Sequence, residues 1–398
     1  MPSLVPFLVV MVLAQALMGA CYGLAGVLAP IAAPEMGYSL TALGPYSGVM
    51  ALAALAGGTL IDGPLRRYGA ARTFQISIAM HIVGLLCGAS GMPALVALSS
   101  ALLGFATGMV IPCALHLVAR VTPPERAGMV IAINQCGTPA GFGLGGVAFP
   151  LLLQVMHWRM SLVVLGAVLA LMIPTMQRMR AALDSDRNPA APLGGRAFAE
   201  PLRMAWSIPN LRLLGWLAFS FMTVQMALLS YLVSYVKIEL GFSHVAAGSA
   251  LLASQVAAIA SRLFFGWLLD RVGRHFLLLG ILGTASGIVA IVLGLADPGW
   301  SYASVIIIAA ACGTFVMGWN AVYFAAVAKF APEGRSGTAV GGTQVFTLLG
   351  GSVGPLVFAG MLNFTGSYAS GFVVTAMFAL VMGVRLLWLD MRMTAQAA

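Results

Sequence analysis

This sequence predicts an all-α membrane protein of twelve crossing helices, arranged as two six-helix bundles joined by a polar linker. Three observations carry that prediction. Charged residues make up 8% of the 398 positions and apolar ones 61%, where a soluble domain carries roughly 25% charged residues. The apolar residues fall into long runs free of Asp, Glu, Lys and Arg, and a helix needs roughly 20 such residues to cross the hydrocarbon core. The turn that closes one run, Gly266 to Arg274, has a degraded copy about 208 residues earlier, beginning at Gly58.

In chain order, residues 1–34 supply the first span. No basic segment precedes this run, and it is too long for a signal-peptide core of roughly 7 to 15 residues, so it is expected to be retained. Residues 36–61 give span 2 once the turn before about residue 43 is set aside. The run 73–119 exceeds one crossing, and Ser90-Gly91-Met92-Pro93 divides it into spans 3 and 4. Spans 5 and 6 occupy 127–158 and 160–180. Arg178, Asp184, Asp186, Arg187, Pro189, Pro192, Gly194, Arg196, Glu200 and Arg203 then crowd into one polar stretch, the expected linker. Spans 7 to 10 follow at 211–236, 243–270, 276–296 and 300–328, and the run 336–384 splits near Asn363 to Ser367 into spans 11 and 12. The expected division is a first bundle over 1–181, a linker over 182–209 and a second bundle over 210–398.

Basic residues orient the chain, because short loops rich in Lys and Arg stay cytoplasmic. Arg66, Arg67, Arg72, Arg120, Arg126, the linker arginines, Arg271, Arg274, Lys329, Arg335, Arg385 and Arg392 all fall on one side, and Arg159 and Lys237 on the other. Both termini are therefore expected in the cytoplasm, with the plasma membrane (a bacterial inner membrane) as the location. The pI of about 9.7 does not point to nucleic acid, since the arginines sit in short turns and form no basic face. Cys21, Cys87, Cys113, Cys136 and Cys312 lie inside apolar runs without Cys-x-x-Cys spacing and read as packed free thiols. Neither a metal nor a cofactor is expected.

Two six-span halves are visible as a repeat. An offset of 209 pairs Gly104 with Gly313, Arg126 with Arg335, Gln135 with Gln344, Gly141 with Gly350 and Gly145 with Gly354. Six spans separate the copies, so they run parallel about an axis along the membrane normal. Gly266, Asp270, Arg271, Gly273 and Arg274, the turns Pro124-Glu125-Arg126-Ala127-Gly128 and Glu333-Gly334-Arg335-Ser336-Gly337, and the glycines of spans 5 and 11 together resemble the major facilitator superfamily. The resemblance implies a rocker-switch transporter in which the signature turn braces the cytoplasmic side. Gly58, Asp62 and Arg67 form the first-half copy of that turn, with Gly63-Pro64-Leu65-Arg66 inserted and Ala70 where a basic residue is usual. Asp270 sits at a helix end whose dipole disfavours an anion, so it is expected to pair with Arg271, Arg274 or a loop partner.

Substrate inference rests on Arg262. It lies eight residues before Asp270, roughly 12 Å along a helix and therefore near the bilayer midplane. An arginine at that depth costs about 2.5 to 3.5 kcal/mol on insertion scales and usually faces a cavity or a partner. Its fork holds a carboxylate with two parallel bonds, which makes a small anion the expected substrate. The plainer alternative is an arginine that snorkels or caps the carbonyls of a broken helix. Its place before the turn also resembles the monocarboxylate and oxalate:formate antiporter branches, although Ala258 stands where an aspartate is found in the animal monocarboxylate carriers and the lysine of span 1 is missing after Tyr22.

Gln15 and Tyr22 on span 1, Gln225, Tyr231 and Tyr235 on span 7, and Trp319, Asn320 and Tyr323 on span 10 complete a candidate polar, aromatic-lined pocket. Each is equally consistent with interhelical bonding. Asn134, Gln135 and Gln344 carry the same two readings. His116 is the histidine best placed to titrate, but the plainer expectation is a buried neutral residue packed on span 2. Pro30, Pro112, Pro139 and Pro355 are candidate kinks.

The function expected is secondary transport of a small organic anion by a monomer, with a coupling proton or counter-substrate. No Gly-x-x-x-x-Gly-Lys-Ser/Thr loop is present for ATP. Drug export or neutral-solute transport with Arg262 structural is the alternative. A non-transporting receptor is a weaker one, and no paired acids or Ser-His set point to an enzyme.

Overall fold

The computed structural model describes residues 4–122, 127–191, 199–333 and 335–397. Every regular element among them is helical. In chain order these are α1 (Leu4–Glu35), a 3-10 turn at Leu40–Ala42, α2 (Leu43–Leu60), α3 (Asp62–Tyr68), α4 (Ala70–Ala89), α5 (Pro93–Val121), α6 (Ala127–Gln135), α7 (Gly137–Leu152), α8 (Trp158–Ala170) and α9 (Met172–Leu183). Then come α10 (Ala199–Ser207), α11 (Pro209–Ile238), α12 (His244–Val272), α13 (His275–Gly294), α14 (Tyr302–Met317), α15 (Asn320–Phe330), α16 (Ser336–Thr365) and α17 (Tyr368–Ala397).

Among the described residues, eleven helical stretches are long and apolar enough to cross a membrane. The expected fifth crossing is instead two shorter helices, α6 and α7, which meet at Cys136. Pro139 accounts for the break, because it has no N–H to offer the carbonyl four residues back. Helix ends follow local chemistry. Ser243 and Ser301 cap α12 and α14 by accepting from the Ala246 and Ser304 amides, both at 3.2 Å. Gly273 and Gly366 close α12 and α16 in the left-handed conformation, at φ 66° and 69°. The insertion Gly63-Pro64-Leu65-Arg66 of the first-half turn is absorbed as the short helix α3.

The chain divides into two compact units. The first holds residues 1–37 and 49–196, and the second holds 38–48 and 197–398, so the start of α2 groups with the second unit. Within the first unit α1 packs on α7 and α4 on α5, and within the second α11 packs on α16, α12 on α14 and α13 on α17.

Glycine sets these distances, as small residues do where lipid is as apolar as the helices. A Cβ on Gly141 would overlap the Ala16 carbonyl oxygen, and one on Gly350 would overlap that of Phe219. Gly104 stands in the same way against Met50, and Gly313 against Ser254. Members of each pair, 209 residues apart in sequence, therefore make the same backbone approach in the two units. In the second unit, Leu214, Phe221, Leu279, Trp319, Tyr323 and Val327 belong to one buried apolar cluster.

Candidate functional site

In the second unit the candidate residues gather where α14 gives way to α15. Met317 ends α14, and its carbonyl accepts from Arg262 Nε at 3.3 Å and from Asn320 Nδ2 at 3.2 Å. Asn320 thus satisfies a carbonyl three residues back, the local competition with helix geometry expected of asparagine. The intervening Gly318 lies against α12, where a Cβ would stand 2.6 Å from Ser261 Oγ. Gln255 Nε2 reaches Met317 Sδ at 3.2 Å from the same helix.

On the next residue the fully buried Trp319 donates its indole N–H to Gln225 Oε1 at 3.0 Å. Its ring stacks on Phe221 at 5.1 Å and meets the edge of Tyr323, also at 5.1 Å. Arg262, Asn320, Gln225 and Tyr323 are therefore brought into one neighbourhood, linked through Met317, Trp319 and the helix break. Arg262 is only part-buried, with one edge of its guanidinium held by main chain.

Tyr231 stands apart. Its ring stacks on Phe358 at 4.1 Å, within an aromatic cluster that includes Tyr235, Tyr368 and Phe372. Tyr235 is interhelical glue, its hydroxyl lying 2.9 Å from the Leu293 carbonyl and 2.8 Å from that of Ala296 at the end of α13. In the first unit, Gln15 Nε2 donates to Asn134 Oδ1 at 2.6 Å, and Tyr22 lies edge-on to Phe142 at 6.0 Å.

The signature turn of the second unit differs from expectation in its pairing. Arg274 binds Asp390 of α17, and Arg271 lies over the Trp267 ring at 4.2 Å. Asp270 is exposed and makes no ion pair among the described residues. The expected Arg271 or Arg274 partnership is therefore corrected: both cations have nearer uses. Gly273 keeps its role as the left-handed cap, while a Cβ on Gly266 would meet Ala321 Cβ at an ordinary 3.7 Å. In the first-half copy, a Cβ on Gly58 would stand 3.3 Å from the Gly108 carbonyl oxygen, and Arg67 lies 5.9 Å from the Tyr68 ring centre. The Asp62 side chain and most of the Pro124 to Gly128 turn fall outside the described residues. Arg335 of the matching turn pairs with Glu200 of α10.

The sequence did not single out the acids that end the two halves. Asp184, buried just after α9, accepts from the amides of Ala71 at 2.7 Å and Arg72 at 3.1 Å, and from Arg180 Nε at 3.3 Å. It thereby caps α4, whose preceding Gly69 leaves room for the carboxylate. Asp390 is the equivalent acid after a similar offset, and its partner Arg274 stands at the start of α13. A repeat alignment carried to the last residues of each half would have found the pair. His116 also departs from expectation. It lies on no buried face but binds Asp186 Oδ2 at 2.7 Å, alongside the ion pair from Arg120 to the same carboxylate. Burial opposes ionisation of Asp186, yet the hydrogen bonds from His116 and Arg120 and the Arg120 charge outweigh it and hold the carboxyl below the ordinary aspartate value.

Comparison with known proteins adds the family. The sequence profile of the Major Facilitator Superfamily matches residues 11–355. The chain belongs to the major facilitator superfamily. Among curated proteins it is similar to the probable nitrate/nitrite transporter NarK2 of Mycobacterium tuberculosis, 28% identical over 313 residues, covering 75% of each chain. It is also similar to the gallate transporter of Pseudomonas putida, 29% identical over 199 residues, covering 46% of this chain and 44% of that one. Among solved structures, a D-xylose-proton symporter superposes with a TM-score of 0.74 at 15% identity, covering 98% of this chain and 97% of that one. That likeness shows the shared fold of the superfamily.

Proposed function

We propose that this superfamily member is a secondary active transporter that carries a small organic anion across the plasma membrane by rocker-switch alternating access, with Arg262 as the anion's electrostatic partner. The observation that carries the reading is the setting of Arg262. It lies inside a 29-residue apolar helix, part-buried, with Nε fixed on the Met317 carbonyl and Asn320 on the same oxygen. A guanidinium fixed by main chain is oriented before its ligand arrives, so little is lost in ordering it. Relatives named for nitrate, nitrite and gallate, which are anions at neutral pH, support the same class of substrate. Energy comes from a proton or counter-substrate gradient, and the working unit is a monomer with both termini cytoplasmic.

The Met317 bond also favours a second reading, in which Arg262 serves only to hold the helix break and the substrate is a neutral or lipophilic solute. Reconstituted protein separates the two. Uptake of labelled benzoate into proteoliposomes is measured for wild type, Arg262→Lys and Arg262→Ala. The anion reading expects a strong loss in Arg262→Ala and partial retention in Arg262→Lys, which keeps charge but not the two-pronged fork. Undiminished uptake by both variants sinks it.

A further inference from the structure

Gln15 and Asn134 are both fully buried, and they share one hydrogen bond of 2.6 Å. Gln15 Oε1 and Asn134 Nδ2 make no hydrogen bond among the described residues. Buried polar groups are nearly always paired, and each one left out is costly. Rotating the amides does not remove the mismatch. With one amide flipped, like faces like across the 2.6 Å contact; with both flipped, donor and acceptor exchange sides. In either acceptable assignment one NH2 group and one carbonyl oxygen remain unmatched.

The surroundings fix this pair in place. Asn134 is one residue from the end of α6, and the chain turns at Cys136 before α7 begins. A Cβ on Gly137 would stand 2.9 Å from Gln15 Cβ and 2.8 Å from the Val12 carbonyl oxygen, so α7 is locked on α1 directly beside the Gln15 stem. The break at Cys136 separates Asn134 from that locked segment. Gln15 is thus the fixed member and Asn134 lies across a joint from it.

Granting the transport reading above, on which this rests, we propose that the Gln15–Asn134 pair is the first unit's recognition point for a substrate hydroxyl. A hydroxyl donates one hydrogen bond and accepts others, which matches a carbonyl oxygen beside an NH2 group. A group that only accepts, such as a carboxylate, nitrate or ether oxygen, leaves the amide oxygen unanswered. The substrate class that follows is a hydroxylated small organic acid whose hydroxyl serves the amide pair.

The test uses the purified full chain and four probes: benzoate, 3,4-dihydroxybenzoate, 3,4-dimethoxybenzoate and methyl 3,4-dihydroxybenzoate. Affinities come from ligand-dependent shifts in the melting midpoint. The dihydroxy acid is expected to bind roughly 10- to 100-fold more tightly than the dimethoxy acid, the span that two satisfied hydrogen bonds provide. In Gln15→Met and Asn134→Leu that ratio should fall to about one. Equal binding of the dihydroxy and dimethoxy acids by the wild type overturns the proposal without any variant having to fold, and so does an absence of binding by all four probes. The methyl ester reports separately on Arg262. If the ester binds as well as the acid, the anion reading falls while the hydroxyl preference can still stand.

Discussion

Removing the carboxylate of Asp184 should loosen the first unit by an amount its contacts allow to be worked out. Two main-chain amides at the start of α4 donate to it, and loss of such a cap costs roughly 0.5–2 kcal/mol. An anion at a helix N-terminus adds about 0.3–1 kcal/mol more, and the hydrogen bond from Arg180 is lost with it. Asp184→Ala is therefore expected to lower stability by roughly 2–3 kcal/mol, and Asp184→Asn, which keeps one acceptor oxygen, by about 1 kcal/mol. For a body of this size that corresponds to a midpoint about 5–10 °C lower in Asp184→Ala. The assay is thermal unfolding of the detergent-solubilised protein, joined to hydrogen exchange across the first turn of α4, where the Ala71 and Arg72 amides should exchange faster. Two results would refute the reasoning. One is a midpoint within about 1 °C of wild type. The other is a loss of equal size in Arg180→Ala, which would place the energy in the ion pair and not in the cap.

Two more outcomes follow from the packing and the acids at the helix ends. Gly141→Ala should disrupt the α1–α7 contact, since its Cβ would overlap the Ala16 carbonyl, whereas Gly360→Ala meets nothing within 4 Å and should be tolerated; a gain of about 0.5–1 kcal/mol from helix propensity is even expected there. Gel-filtration profiles of the two variants should show a dispersed first and a monodisperse second. Asp186, held below the ordinary aspartate value by His116 and Arg120 against the opposing effect of burial, contributes stability that is fully present above that ordinary value and is lost as pH falls through the lowered one. Asp186→Asn should therefore melt lower than wild type at neutral pH, with the two curves converging only at the acid end.

Much of the architecture was legible because lipid tolerates few charges: charge-free runs marked the crossings, and glycines 209 residues apart marked the repeat that the Gly141 and Gly350 contacts embody. The break in the fifth crossing was legible only as a candidate kink at Pro139, since a proline inside an apolar run is as compatible with a kink as with a break. At α14 no proline warns of the interruption, which depends on Asn320 and Arg262 converging on one carbonyl from two different helices. Sequence spacing cannot supply that kind of tertiary convergence. Asp270 was misjudged for the same reason, as its neighbours Arg271 and Arg274 found a tryptophan ring and a distant aspartate. Arg262 was legible by depth alone, yet the partner that orients it was not.

Asp184 and Asp390 occupy matching posts at the ends of the two halves, one gathering main-chain amides together with the Arg180 guanidinium and the other holding the guanidinium of Arg274. The repeat thus carries two versions of one brace inside one polypeptide. Each acid is the other's natural control, sharing lipid, detergent, expression level and temperature. Taking the arginine from each post in turn, Arg180 from the first and Arg274 from the second, would measure how much of such a brace belongs to the carboxylate and how much to what it holds.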